Sequence, residues 1–206
     1  TTMSDEAQGS FQKDPLFDNA NATYTYGDEL FGTYSDPYKG IRSCNDFLAQ
    51  LKTASLDEAE NKRLTAEVRF IRAYHYFTLV KRYGGVPIIA ESQIYEGPDN
   101  LEDLQTPRST EEETYRFIIT ECQEAAKDLP KTNEASAKYR ANQGTALALC
   151  SRAALYAGSI AKYGKVQLNG VVGIPSGKAN EFFKIAYDAS KQVIDSGVYT
   201  LYNKTP

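Results

Sequence analysis

The densest collection of side chains able to do chemistry lies in the first 38 residues. Asp5, Glu6, Asp14, Asp18, Asp28, Glu29 and Asp36 stand there against a single base, Lys13, and are interleaved with Phe11, Phe17, Tyr24, Tyr26, Phe31, Tyr34 and Tyr38. Flat rings beside carboxylates and an ammonium suit a sugar: the rings cover its apolar C–H faces and the charged groups take its hydroxyls. Asp5, Lys13, Tyr24, Tyr26, Phe31 and Tyr34 are therefore the candidate ligand-binding residues, with Asp28 and Glu29 beside them. The competing reading is that the rings only pin this segment to the helices that follow. The chain has no Trp, so the strongest stacking platform is missing.

Other constellations point away from catalysis. The adjacent acids Asp5/Glu6 and Asp28/Glu29 resemble a glycosidase pair only superficially, because neighbours in a loop do not fix two carboxyls about 5 to 9.5 Å apart across a bond. His75, the one histidine, has no Ser, Cys or Asp set around it, so a core or interface role is expected. Arg69, Arg72 and Tyr76 follow i, i+3, i+7 spacing and, with Glu67, are expected to serve packing and helix-end hydrogen bonding. Gly84-Gly85 is no phosphate loop, since no Gly-Lys-Ser/Thr follows it. Cys44, Cys122 and Cys150 sit in apolar helical patterns and make neither a disulfide framework nor a zinc motif. Calcium could be held by loop acids, but no EF-hand spacing supports it. We expect no enzyme, no cofactor and no metal.

The elements that must position these residues are helices. Tyr38, Ile41, Cys44 or Asn45, Leu48 and Leu51 recur at helical spacing. Leu56 to Tyr83 is apolar on more than one face, which predicts packing between two neighbours. Gly84-Gly85 should end that helix in a left-handed cap, with Val86-Pro87-Ile88-Ile89 leaving extended. Ser109 or Thr110 should cap a third helix reaching Leu129-Pro130. A fourth is expected over roughly Asn142 to Tyr163 and a fifth over Asn180 to Ser196, capped by Gly197. Residues 1–37 show no sustained period and read as an irregular segment. Residues 38–206 read as the helical region.

A repeat runs through this pattern. At a shift of 80, Ala66, Arg72, Ala73, Tyr76, Tyr83 and Gly84 match Ala146, Arg152, Ala153, Tyr156, Tyr163 and Gly164. At a shift of 77, Tyr38 and Ile41 match Tyr115 and Ile118. The repeating unit is a helix pair, which buries both its apolar faces only when another pair stacks on it. The fold expected is mostly α, built from tetratricopeptide-like pairs. The fifth helix reads as the first half of a third pair, so it should expose an apolar stripe, and the sequence reads as part of a longer protein. The 206 residues carry 23 bases and 27 acids, a net charge of −4, which argues against a nucleic-acid partner. No apolar run approaches the roughly 18 residues of a membrane span.

From Glu67 through Arg69-Phe-Ile-Arg72-Ala-Tyr-His-Tyr-Phe to Tyr83-Gly-Gly-Val-Pro-Ile88, the sequence strongly resembles the SusD/RagB family of outer-membrane nutrient-binding lipoproteins. Ser4-Asp5-Glu6, Tyr38-x-x-Ile41-x-x-Cys44-Asn45, Ala146-Leu147 with Arg152 to Tyr156, and Val193-Ile194-Asp-Ser-Gly197-Val-Tyr199 follow in the family's order. The resemblance implies a lipid-anchored protein at the cell surface. Such proteins close as a lid over a SusC-like TonB-dependent transporter and bind an oligosaccharide, or in some members a peptide, without catalysis. It also implies that ligand contacts come from residues 4 to 38. The lipid-bearing cysteine of the family has no counterpart near Thr1. The alternative is a tetratricopeptide-like scaffold whose groove binds a peptide or protein partner.

Overall fold

The computed structural model describes residues 34–201. The chain divides into two units, Thr1–Ser35 and Asp36–Pro206, and the described residues belong almost wholly to the second. Five α-helices follow one another there: α1 (Ser35–Leu51), α2 (Glu58–Tyr83), α3 (Glu111–Asp128), α4 (Gln143–Tyr163) and α5 (Ala179–Asp195). The only β-type pairing among the described residues is two isolated bridges, from Leu168 and Asn169 to Val172.

Each helix starts and stops where local chemistry dictates. Asp57 caps α2 by accepting from the Glu60 N–H, and Asn142 caps α4 by accepting from the Thr145 N–H. Of the two sequence candidates for α3, Thr110 is the cap. Its hydroxyl accepts from the Glu113 N–H while the Glu113 carboxylate takes the Thr110 N–H, a complete capping box. Leu129 ends α3 in extended backbone ahead of Pro130. The end of α2 departs from expectation. Gly84 has positive φ (68°) but ψ of −139°, outside the left-handed helical region, so the chain leaves α2 in a conformation that glycine adopts freely and other residues do not. A β-carbon at Gly84 would collide with the Val171 carbonyl, and one at Gly85 with the Ser109 carbonyl.

The core runs without interruption through the stack. Ile41 of α1, Ala73, Tyr76, Leu79 and Val80 of α2, Tyr115, Ile118 and Cys122 of α3, Ala146, Cys150, Ala153 and Ala157 of α4 and Phe182 of α5 contribute to one cluster. Small residues let the helices approach: Gly40 lies against the His75 ring and Gly158 against the Phe183 ring. His75 is thus a half-buried packing residue between α1 and α2, and burial lowers its pKa. The three cysteines are buried free thiols whose pKa values burial raises, that of Cys150 to about 11.

The repeat holds on the inner faces and breaks on the outer ones. Ala66 and Ala146, and Ala73 and Ala153, are buried alike. Arg72 and Tyr76 are buried, whereas their counterparts Arg152 and Tyr156 are exposed. Gly164 does not repeat the positive φ of Gly84. Ile71 and Tyr74 of α2 also face outward. On α5, Ala179, Phe182, Ala186 and Ala189 pack inward, and Tyr187 and Ile194 form the exposed apolar stripe expected of a half pair.

Candidate functional site

Five of the six candidate ligand residues, Asp5, Lys13, Tyr24, Tyr26 and Phe31, lie outside the described residues, as do Asp28 and Glu29. Tyr34, the sixth, immediately precedes α1 and is 41% exposed.

The polar set on α2 is fully described. Arg72 is 6% exposed and directs its guanidinium at three elements at once. Its Nε and Nη2 donate to Glu121 Oε2 on α3 at 3.0 and 2.6 Å, and its Nη1 donates to Asn45 Oδ1 on α1 and to the Ala90 carbonyl, both at 2.7 Å. Arg69 holds the other oxygen, Oε1, of Glu121 at 2.8 and 3.1 Å. Asn45 completes the set by donating to the Ile89 and Glu91 carbonyls at 3.0 and 3.1 Å. Tyr76 accepts from the Ile89 N–H at 2.7 Å and donates to the Ile89 carbonyl at 3.1 Å. The result is an extended strap, residues 85–92, whose carbonyls are caught by side chains of α1 and α2. These donors are spent on the protein itself, so the cluster is framework and offers a substrate no free group. Glu67 is spent likewise, between Arg63 of its own helix and Arg140 ahead of α4.

Sequence reasoning placed Arg72 and Tyr76 in the framework but did not name Glu121 or Asn45 as their partners. Glu121 did carry a signal: an acid three residues after Ile118 and one before Cys122, on a face otherwise apolar.

Clefts open at several places among the described residues. One of about 170 Å³, between α1 and the strap, is lined by Tyr38, Arg42, Asn45, Glu91, Ser92 and Gln93 among others. Ring, amide, carboxylate and hydroxyl all meet there, the mixture a saccharide site needs. Most of it is committed, however. Tyr38 donates to the Pro87 carbonyl, Ser92 to Asp46, and Gln93 to the Leu104 carbonyl and the Thr106 hydroxyl. A second cleft of about 240 Å³ borders Arg69, Arg72 and Glu91. The third, about 330 Å³, lies among α3, α4 and α5, over an apolar floor that includes Ala126, Leu147 and Ala189, with Gln123 and Gln192 at its rim. Among the described residues no group of three His, Cys, Asp or Glu side chains could hold a metal ion, and no helix is long and apolar enough to cross a membrane.

Residues 1–155, both the acidic leader and the first three helices, match the SusD-like family described as starch-binding and associating with the outer membrane. A SusD-like protein of Bacteroides ovatus is 27% identical over 128 residues, covering 61% of this chain and 22% of its own length. A SusD-like protein of Bacteroides fragilis of known structure is 32% identical with a TM-score of 0.64, over 82% of this chain and 27% of that one. A laminarin-binding SusD-like protein is 30% identical with a TM-score of 0.58, over 69% and 30%. The chain thus spans about a quarter of the length of these relatives. An all-helical stack and a family match over three quarters of the sequence agree: this chain belongs to the SusD-like family of outer-membrane-associated glycan-binding proteins.

Proposed function

We propose that this chain is the helical part of a cell-surface protein that captures an oligosaccharide without chemistry and delivers it to a SusC-type TonB-dependent transporter. The observation that carries this reading is the match of residues 1–155 to a starch-binding family, because it includes the aromatic leader as well as the helices. The laminarin-binding relative supports a glucan or similar glycan as ligand. Residues 1–37 are the ligand region in this reading. Tyr24, Tyr26, Phe31 and Tyr34 supply ring faces, and Asp5 and Lys13 take hydroxyls. Residues 38–206 are the scaffold. The protein is lipid-anchored at the cell surface, and the transporter is its working partner.

Affinity electrophoresis of the full-length protein in gels containing laminarin or starch tests the reading. Retardation by one of them should be lost, by about tenfold or more in affinity, in Tyr24→Ala or Tyr26→Ala. No reducing ends should appear on overnight incubation. Unretarded migration in every neutral glycan, or retardation unchanged in both variants, would remove the ligand region.

A further inference from the structure

Charge is distributed unevenly along the helices. Residues 68–90 carry four bases and no acid, and residues 135–180 carry six bases and no acid. Arg69 and Arg72 are neutralised by Glu121, and Arg140 by Glu67. Lys81, Arg82 and Arg152 are exposed and have no carboxylate within ion-pair reach among the described residues. Partial burial first, and then the charges of Arg82 and Arg152, lower the pKa of Lys81.

Two rings complete the patch. Phe77 and Tyr156 meet edge to face with centroids 5.5 Å apart, and Lys81 Nζ lies 4.7 Å from the Phe77 centroid. Arg152 is one turn ahead of Tyr156 on α4. Tyr156 leaves 44% of its surface in solvent. The repeat makes this notable. The matching residues of the first pair, Arg72 and Tyr76, are buried and spent on the strap and α3. In the second pair the same two residue types have no such task, and gathered like charges weaken a fold rather than support it.

We propose that Lys81, Arg152 and Tyr156 form a subsite for an acidic glycan, with a hexuronate ring resting on Tyr156 and its carboxylate between the ammonium and the guanidinium. The inference rests on the glycan-binding reading and adds the sugar class. A hexuronate offers an apolar C–H face and an anion within one residue, which matches a ring flanked by two unpaired cations.

Calorimetric titration of the full-length protein with hexagalacturonate, beside maltohexaose and laminarihexaose, tests it. The uronate should bind. Lys81→Gln, Arg152→Gln and Tyr156→Ala should each weaken it about tenfold, Tyr156→Phe should keep it, and neutral-glycan affinity should not move. All three positions are at the surface, and unchanged melting temperatures would confirm intact folding. The proposal is overturned if the variants leave uronate affinity unaltered, or if poly-glutamate or dextran sulfate binds as tightly and is lost in parallel, which would mark a generic anion or acidic-protein contact. Neutral glucan binding without uronate binding would end this inference alone. Silence toward every glycan would end the broader reading with it.

Discussion

Glu121 shows how much rests on single side chains here. It is buried on α3 and balances two arginines of α2. Removing it strands Arg72 in the interior, so Glu121→Ala should cost about 3–5 kcal/mol in urea unfolding. Replacing both partners, Arg72→Met with Glu121→Leu, should not restore stability fully, because the Asn45 Oδ1 and the Ala90 carbonyl then lose their donor and Arg69 its carboxylate. Glu111 is the opposite case. Burial raises its pKa even though its carboxylate accepts the Gly173 N–H at 2.6 Å. With the folded value above the unfolded one, the folded state holds its proton longer, so this group's contribution to stability falls as pH rises through and beyond 4.5. Glu111→Gln keeps the acceptor and removes the charge. It should raise the urea midpoint at pH 7 and leave it nearly unchanged at pH 4. The arginine stripe was legible from its own spacing, but Glu121 lies 49 residues from Arg72, and no local period reports a partner at that range.

Among the elements, the ends were the easiest to read and the turns between them the hardest. Thr110 with Glu113 announced the start of α3 by residue type alone, and Thr110→Ala should cost about 1 kcal/mol, visible as a lower melting temperature. Gly84-Gly85 was legible as a stop, but its reason was not. Both glycines are required because other backbone runs against them: the Val171 carbonyl at Gly84 and the Ser109 carbonyl at Gly85. Gly85→Ala should therefore cost at least the roughly 1–3 kcal/mol of an overpacked core position, since a backbone carbonyl yields less readily than a side chain. Gly97, with open space around it, provides the control for a substitution that meets no neighbour, although its φ of 139° still strains a β-carbon.

For the whole molecule, period and repetition exposed the architecture, because each helix buries a stripe of fixed spacing and each pair needs the next. The internal homology misled where environment differs, at Arg152 and Tyr156, which repeat the letters of Arg72 and Tyr76 without their burial, and at Gly164, which lacks the positive φ of Gly84. The candidate ligand segment was legible as chemistry and not as structure: its rings follow no period from which a facing direction could be deduced. One further property emerges only from the assembled fold. The segment after α4 returns to the junction between the two pairs: Gly85 N–H donates to the Val171 carbonyl, Glu111 N–H to the Gly170 carbonyl, and Gly173 N–H to Glu111. What looks like a spacer is a stitch that closes a seam laid down some 85 residues earlier. An epitope tag or fluorophore spliced near Gly97 should therefore be tolerated, while one spliced between Asn169 and Gly173 should unpick the protein.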